Sequence, residues 1–229
     1  MAGDASDRVL LVHGFTQTAT SWMPVTDHLM RPANVPTLPT GNDFVAVARA
    51  LDAGPATYVG YSQGGRLCLQ LALDRPEVVH RLVLVSASPG IADPDERAAR
   101  RAADERLAQE IERDGVDAFL ERWLAQPLFA SLPRERSGID ERRADNTVGW
   151  LTYQLRVLGQ GVQPSNWDRL GELRMPVLLI VGELDTKYVD IARRMADRIA
   201  DVRVEVIPSA GHACHLEQPE LVAHLLTTW

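Results

Sequence analysis

The stretch Val59-Gly60-Tyr61-Ser62-Gln63-Gly64-Gly65-Arg66 decides the fold, because it carries the pattern Gly-x-Ser-x-Gly between two apolar segments. A serine hydroxyl is a weak nucleophile or base, so it must be exposed on a sharp strand-to-helix turn within reach of a histidine. Residues 56–59 are typical of a short buried strand, and residues 63–73 of a buried helix. The alternative is a glycine-rich turn that matches the pattern by chance, and the strand and helix predicted on either side argue against it. The stretch therefore predicts a nucleophile elbow with Ser62 at its tip.

Length and charge limit the classes of protein that this chain can form. Its 229 residues, 45% of them hydrophobic, are enough for one large core, so we expect a single domain over residues 1–229 with an insertion. A net charge of −7 argues against a nucleic-acid partner. No apolar run approaches the roughly 18 residues of a membrane-spanning helix, and residues 1–8 lack the apolar core of a signal peptide. We expect a cytoplasmic monomer or small homo-oligomer without membrane contact.

Apolar runs recur along the chain in the manner of a parallel sheet whose strands are buried on both faces. Besides the strand before Ser62, strands are predicted at residues 8–12, 34–38, 81–86, 175–181 and 202–207. Helices are predicted at residues 22–30, 44–51 and 220–228. From residue 91 to residue 167 the apolar runs give way to densely charged segments with a helical pattern. In this region Glu96 and Arg100 are spaced for an i,i+4 ion pair. The sheet pattern then resumes, so this region is interpreted as an inserted helical lid.

Three residues follow the carboxyl ends of predicted strands, in the order Ser62, Asp185 and His212. Strand ends of a parallel sheet share one edge, so these side chains can converge there. The order is that of the α/β-hydrolase triad, which predicts a mostly parallel sheet with helices on both faces and an inserted lid. Histidine takes the serine proton and the carboxylate orients the histidine. Asp190 and His215 rank second for the triad.

Two further features of the motif region bear on catalysis. In an α/β-hydrolase fold, the loop after the first strand and the residue after the nucleophile supply oxyanion N–H groups, here those of Phe15 and Gln63. His13 is interpreted as a structural histidine hydrogen-bonded to this loop, in preference to a catalytic one. A metal site built from His212, His215 and Glu217 is disfavoured, since it lacks a fourth ligand. We expect no metal and no cofactor.

Substrate class has to come from the residues that face the triad. Arg66 lies four residues after Ser62, on the first turns of the elbow helix, where an anion would also be favoured. Arg100 and Arg143 lie in the predicted lid. Charge pattern alone favours solvated salt bridges for these last two arginines.

At this point the sequence resembles the 2-succinyl-6-hydroxy-2,4-cyclohexadiene-1-carboxylate synthases of menaquinone biosynthesis, which are lyases with an α/β-hydrolase fold. The resemblance covers most of the chain. It rests on Gly60-Tyr61-Ser62-x-Gly64-Gly65-Arg66, Arg97-x-x-Arg100-x-x-x-Asp104, Trp123-x-x-Gln126-Pro127-x-Phe129, Gly182-Glu183-x-Asp185-x-Lys187 and Gly211-His212. Esterases share the elbow, whereas the lid motifs are specific to this family.

The resemblance implies that Arg66, Arg100 and Arg143 bind substrate carboxylates, with Trp123 and Tyr61 beside them. The match at Arg143-Ala-Asp-Asn146 requires a gap of one residue. One departure concerns residues 37–41, Thr-Leu-Pro-Thr-Gly, where family members carry a segment of the type Asp-Leu-Pro-Gly-His-Gly. This loop is expected to border the pocket.

The expected activity is elimination of pyruvate from a small polycarboxylate, 2-succinyl-5-enolpyruvyl-6-hydroxy-3-cyclohexene-1-carboxylate, by proton abstraction. Two alternatives remain open. One is a carboxylesterase or C–C bond hydrolase with Ser62 as covalent nucleophile, and the other is a non-catalytic binding relative, against which the intact triad order counts.

Overall fold

The computed structural model describes residues 8–229, and its centre is a six-stranded parallel sheet in the order β2-β1-β3-β4-β5-β6. Residues 1–7 lie outside the described range, and they include most of the segment, residues 1–8, that is predicted to lack the apolar core of a signal peptide. The strands are β1 (Val9–Val12), β2 (Ala33–Asn34), β3 (Ala56–Tyr61), β4 (Val79–Val85), β5 (Val177–Gly182) and β6 (Val202–Ile207). The strand that precedes Ser62 thus lies near the middle of the sheet.

Side chains alternate along the strands and so create an apolar layer on each face of the sheet. On one face, Leu10 and Tyr58 belong to a core cluster with residues of α2 (Phe44–Ala50), α3 (Gln63–Asp74) and α7 (Thr186–Ala196). On the other face, Leu11 and Val59 pack with residues of α1 (Met23–Thr26), α8 (Cys214–Glu217) and α9 (Pro219–Thr228). Helices therefore cover both faces of the sheet, as the strand pattern predicts.

A helical segment is inserted between β4 and β5. It contains α4 (Pro94–Leu124), α5 (Ile139–Asp145) and α6 (Val148–Leu158), with short 3₁₀ turns at Pro127–Phe129, Arg134–Arg136 and Trp167–Glu172. The chain changes direction within α4 at Gly115, whose φ of 79° is open to glycine at no steric cost. A separate apolar cluster joins α4 to α6 through side chains such as Ile111, Phe119 and Leu151.

Two predicted elements are much shorter than expected, and both lie before β3. The strand expected over residues 34–38 is reduced to Ala33–Asn34, because prolines at positions 36 and 39 cannot donate ladder hydrogen bonds. The helix expected over residues 22–30 ends at Thr26, and a turn follows at residues 27–28.

One predicted ion pair is also wrong. Arg100 pairs with Asp104 on the next turn of α4, at 2.8 Å between Nε and Oδ1, and within residues 8–229 it makes no ion pair with Glu96. The helices of the described residues include none that is both long and apolar enough to span a membrane.

Candidate active site

Ser62 lies at the turn between β3 and α3, where the chain reverses direction sharply. Its backbone has φ 49° and ψ −107°, values that a residue other than glycine adopts only under strain. The neighbouring glycines make the turn sterically possible. A Cβ on Gly60 would lie 2.5 Å from the backbone of Gly65, and one on Gly64 would lie 2.3 Å from the carbonyl oxygen of Val12. The chain thus forms an elbow with Ser62 half-buried at its tip.

Ser62, His212 and Asp185 converge from three different strand ends. The Oγ atom of Ser62 lies 3.2 Å from Nε2 of His212, and Nδ1 of His212 lies 2.6 Å from Oδ2 of Asp185. The carboxylate accepts a hydrogen bond from the N–H at Nδ1, which leaves Nε2 unprotonated and able to take the proton of the serine. The three groups are therefore arranged for proton transfer at Ser62.

The imidazole of His212 is enclosed. Only 3% of the residue is exposed, and its ring lies among those of Tyr188, Tyr61 and Phe129, with centroid separations of 4.7, 5.5 and 6.1 Å. The turn that carries it is held by Glu217, whose Oε2 accepts a 2.8 Å hydrogen bond from the N–H of Gly211. The fold therefore fixes the imidazole in a buried position.

The backbone N–H groups of Phe15 and Gln63 belong to residues that line the pocket around Ser62. Gln63 is the first residue of α3, and Phe15 lies in the turn after β1 that is closed by a 3.2 Å bond from Gln17 N–H to the carbonyl of Gly14. Neither the Phe15 nor the Gln63 amide donates a hydrogen bond within residues 8–229. Both residues line the pocket around Ser62, and the positive end of the α3 dipole points to the same place.

The loop that carries Phe15 is held by α5. Thr16 has the unusual φ of 64°, and its hydroxyl accepts a hydrogen bond from Nη1 of Arg142. Nδ2 of Asn146 donates to the carbonyl of Thr16 at 2.9 Å, and Nε of Arg142 donates to the carbonyl of Ser137 at 2.8 Å. Burial lowers the pKa of Arg142 to about 10. The inserted segment thereby determines the position of the Phe15 N–H.

A pocket with a volume of about 150 Å³ opens over the Ser62–His212 pair. Its walls come from the elbow, the first loop, the inserted segment and the start of α7. The lining residues are Phe15, Tyr61, Ser62, Gln63, Arg66, Arg100, Asp104, Trp123, Leu128, Phe129, Leu155, Gly159, Gln160, Lys187, Tyr188 and His212. Below, this space is called the inner pocket.

Arg66 lines the inner pocket and is 5% exposed. Its Nη2 donates to the carbonyl of Leu158 at 2.8 Å, its Nη1 donates to Oε1 of Gln163 at 3.1 Å, and its guanidinium lies 5.6 Å from the ring centre of Phe44. No carboxylate lies within ion-pair distance of it in the described range. Burial lowers its pKa to about 10. Arg66 is thus a buried cation whose partners are all neutral.

Arg100 also lines the inner pocket, with 36% of its side chain exposed. Its Nη1 donates a hydrogen bond to Oε1 of Gln160. The buried carboxylate of Asp104 accepts one hydrogen bond from Nε of Arg100 and another, at 3.3 Å, from the N–H of Gly161. Asp104 consequently orients Arg100 and fastens α4 to the segment after α6.

The structure does not bring Arg143 to this pocket. Its guanidinium faces three carboxylates of the inserted segment, those of Glu121, Asp140 at 3.0 Å and Asp117 at 3.8 Å, and it is absent from the lining residues. The preceding residue, Arg142, points inward instead. The one-residue gap in the motif match is where the assignment fails, since a shift of one position on a helix turns a side chain by about 100°.

Trp123 and Tyr61 both line the inner pocket. Trp123 packs edge-on against Phe15 at 5.1 Å between ring centres and stacks on Phe119 at 5.8 Å. Tyr61 is buried beside His215, with ring centres 4.0 Å apart, and burial holds the pKa of its hydroxyl well above the usual value. Residues 37–41 do not line the inner pocket; Gly41 N–H instead donates to the hydroxyl of Tyr153 on α6 at 2.7 Å.

The competing histidines occupy structural positions. Nδ1 of His13 lies 3.0 Å from the carbonyl of Gly14, and burial lowers the pKa of His13 to about 4. His215 accepts from Nε2 of Gln17 at 3.1 Å, and burial lowers its pKa well below the usual value. Asp190 lies within α7 and pairs with Arg193. Residues 8–229 contain no cluster of three or more His, Cys, Asp or Glu side chains that could hold a metal ion.

Four residues near the site were not assigned to it from sequence. Tyr188, Gln160 and Lys187 line the inner pocket, and Arg142 supports the loop of Phe15. Position gives a signal for Lys187 and Tyr188 alone, because they directly follow the strand end that carries Asp185. Gln160 and Arg142 lie further back in the chain, within the inserted segment, where no local sequence pattern distinguishes them.

The fold and the site together define the class of protein. The family model described as "Alpha/beta hydrolase family" matches residues 9–225, and the chain belongs to that family. The parallel sheet with helices on both faces, expected from the sequence, is thereby confirmed.

Within that class, the chain is similar to synthases of one kind. A Bacillus subtilis protein, provisionally named 2-succinyl-6-hydroxy-2,4-cyclohexadiene-1-carboxylate synthase, is 34% identical over 98% of this chain and 90% of its own length. A Salmonella paratyphi B protein with the same name is 29% identical over 92% of this chain and 88% of its own. The solved structure of MenH from S. aureus matches with a TM-score of 0.89 and 28% identity, over 98% of this chain and 94% of that one. The resemblance carried by the motifs is confirmed.

Proposed function

We propose that this protein is a lyase that eliminates pyruvate from 2-succinyl-5-enolpyruvyl-6-hydroxy-3-cyclohexene-1-carboxylate and so forms 2-succinyl-6-hydroxy-2,4-cyclohexadiene-1-carboxylate. The observation that carries the proposal is the placement of Arg66, a buried cation with no carboxylate partner among residues 8–229, in the same pocket as Ser62 and His212. The names of the relatives support the same activity.

A buried guanidinium that has only neutral partners costs stability, because desolvation is not repaid by an opposite charge. A substrate carboxylate would repay it through charge-assisted hydrogen bonds, which are favoured in a desolvated pocket. Arg100 is a second cation in the same walls. A polycarboxylate therefore matches this pocket better than a neutral ester does.

The triad would act by proton transfer. Ser62, assisted by His212, removes the proton from ring carbon C2, next to the succinyl carbonyl, and the electron pair of that C–H bond forms an enolate whose negative charge lies on the succinyl oxygen. As the enolate re-forms its carbonyl, a C2=C3 double bond forms, the ring double bond moves from C3=C4 to C4=C5, and the bond from C5 to the enolpyruvyl oxygen breaks. The leaving group takes up a proton, becomes the enol of pyruvate and tautomerises. No oxidant, reductant or cofactor is required.

Charge that develops on the succinyl oxygen needs preorganised donors. Phe15 and Gln63 line the inner pocket, and their N–H groups donate to no acceptor within residues 8–229, so we assign them this role. Tyr61 would remain protonated, because its pKa is raised, and its hydroxyl could donate to the substrate. Trp123 would cover the ring of the substrate.

The segment from about residue 91 to 167 is proposed to act as a lid on a single domain formed by the whole chain. Its α6 is tied to the elbow helix through Arg66, and its α5 to the first loop through Arg142. We further propose that the enzyme works in the cytoplasm as a monomer or small homo-oligomer, on a small-molecule polycarboxylate. Cell fractionation and light scattering would check the last two points.

The first test replaces Arg66 by glutamine. The variant should lose tenfold or more in kcat/KM for pyruvate release, since a charge-assisted hydrogen bond contributes about 1.5–3 kcal/mol. The matched control is Arg203→Gln, which removes an exposed arginine paired with Glu205 on β6. If kcat/KM is the same in Arg66→Gln and Arg203→Gln, Arg66 does not bind the substrate and the proposal is contradicted.

The triad geometry also fits a carboxylesterase or C–C bond hydrolase, in which Ser62 forms an acyl intermediate. A second test therefore follows pyruvate release beside the hydrolysis of a panel of p-nitrophenyl esters. The lyase should release pyruvate with no burst of p-nitrophenol. An acyl adduct on Ser62 in the mass spectrum, together with rapid ester turnover and no pyruvate, would favour the hydrolase.

A further inference from the structure

Lys187 is the only lysine in the chain and lies in the first turn of α7, two residues after Asp185. A cation in the first turn of a helix opposes the helix dipole, so this position does not serve the stability of α7. The residue is exposed, yet it lines the inner pocket over Ser62. The position of Lys187 is therefore better explained by binding of a ligand than by a contribution to the stability of α7.

Lys187 also lines a second space, the outer groove, with a volume of about 590 Å³. The inner pocket and the outer groove share Arg100, Gln160, Lys187 and Tyr188, so they meet at these four residues. The inner pocket alone, at about 150 Å³, is smaller than the roughly 300 Å³ at which ligand pockets usually begin. A substrate too large for the inner pocket would extend toward Lys187, which lines both spaces.

The balance of charge at this junction is positive. Cations that line the inner pocket are Arg66, Arg100 and Lys187, against the single carboxylate of Asp104, which is paired with Arg100. Among residues 8–229, no carboxylate lies within ion-pair distance of Lys187. The substrate of the proposed reaction carries three carboxylates, on its ring, its succinyl chain and its enolpyruvyl group.

Arg194 is the other cation of the outer groove, but it is less suited to the same task. Its guanidinium stacks over Trp167, 4.5 Å from the ring centre. The groove around it is also lined by the carboxylates of Asp93, Glu96 and Asp190. An anionic group of the substrate is therefore better placed at the junction than further out.

We propose that Lys187 binds a third substrate carboxylate where the inner pocket meets the outer groove, beside the two carboxylate positions of Arg66 and Arg100. This assignment rests on the proposed function and replaces Arg143 as the third cation of the site. Lysine presents a compact charge on a flexible stem, which suits an exposed entrance through which substrate must pass.

The kinetic test compares Lys187→Gln, Lys187→Arg and Arg193→Gln. Arg193 lies on the same helix, is 69% exposed and lines none of the pockets described above, so it controls for loss of one positive charge. Lys187→Gln should lower kcat/KM for pyruvate release about tenfold, mainly through KM, while Lys187→Arg and Arg193→Gln stay within about threefold of the wild type. Equal kinetics for Lys187→Gln and Arg193→Gln would overturn the assignment.

The single lysine permits an independent test by chemical labelling. N-hydroxysuccinimidyl acetate acylates Lys187 and the N-terminal amine, which intact and peptide mass spectrometry can distinguish. Wild-type protein should lose activity on acylation, whereas Lys187→Arg should keep it. In Ser62→Ala, which binds substrate without turnover, saturating substrate should protect Lys187 and leave the N-terminal amine reactive. Full activity in wild type acylated at Lys187 would overturn the assignment.

The two proposals fail in different ways. Absence of pyruvate release from wild-type protein would overturn the proposed function and this assignment with it. Pyruvate release by wild type, with Lys187→Gln unaffected and Lys187 unprotected, would overturn the role of Lys187 alone.

Discussion

The guanidinium of Arg142 donates to the hydroxyl of Thr16, a residue 126 positions earlier in the chain. This bond connects the inserted helical segment to the loop whose Phe15 lines the inner pocket. Thr16 has a left-handed backbone conformation, which its surroundings must maintain. The inserted segment therefore shapes the catalytic edge of the sheet in addition to covering it.

The first prediction concerns this bond. Thr16→Val keeps the side-chain shape but leaves a buried N–H of Arg142 without an acceptor, so the free energy of unfolding should fall by about 1–3 kcal/mol. If Phe15 N–H stabilises the developing charge, kcat should fall while KM changes little. Urea unfolding and pyruvate-release kinetics measure the two effects. Thr16→Ser retains the hydroxyl and serves as control; a Thr16→Val variant with wild-type kcat would contradict the role of the loop.

The second prediction concerns the triad. Ser62→Ala and Asp185→Asn should each lower kcat by roughly 10³-fold or more, because the three groups act as a unit. Ser62→Ala should leave the melting temperature nearly unchanged, since it removes one half-buried hydroxyl. Circular dichroism checks the fold and pyruvate release the rate. More than about a tenth of the wild-type activity in Ser62→Ala would rule out this serine as the reacting group.

The third prediction separates the pocket arginine from the surface arginine. Arg100→Ala should lower kcat/KM tenfold or more, because it removes a cation from the inner pocket. Arg143→Ala should stay within about twofold, because its partners are Glu121, Asp117 and Asp140 on the surface of the inserted segment. The reverse order of effects would restore Arg143 as a substrate ligand.

The fourth prediction concerns the dependence of stability on pH. Burial lowers the pKa of His13 to about 4, from 6.5 in an unfolded chain. Between these values the unfolded chain binds a proton that the folded chain does not, so stability falls as the pH drops from about 6.5 to about 4 and this loss is complete below that. His13 should account for about 2 kcal/mol of the stability lost between pH 7 and pH 5.

His13→Asn tests this, since the asparagine amide can still donate to the carbonyl of Gly14. Urea unfolding at pH 7 and pH 5 should show a difference smaller by about 2 kcal/mol in this variant. His224→Asn, at an exposed position of α9, should leave the difference unchanged. An unaltered pH dependence in His13→Asn would mean that this histidine is already charged in the folded protein.

Local sequence determined most of the framework. The strands before Ser62 and Asp185 are largely apolar, the strand before His212 alternates valine with charged residues, and these patterns predicted β3, β5 and β6 to within two residues at either end. The elbow was also predictable from local sequence. Only glycine fits at positions 60 and 64, because other backbone segments pass too close there for a Cβ atom. The order of the three polar residues then predicted which strand ends would meet.

The tertiary structure alone decided which charged groups enter the pocket. Arg142 and Arg143 are adjacent in sequence and alike in charge, yet packing of α5 against the first loop buries one and leaves the other among surface carboxylates. Arg100 pairs with Asp104 instead of Glu96, because the buried carboxylate is held in place by the N–H of Gly161. Lys187 becomes part of the site only because the inserted segment places Gln160 and Arg100 beside it. Such contacts join residues far apart in the chain, so no local pattern of residues encodes them.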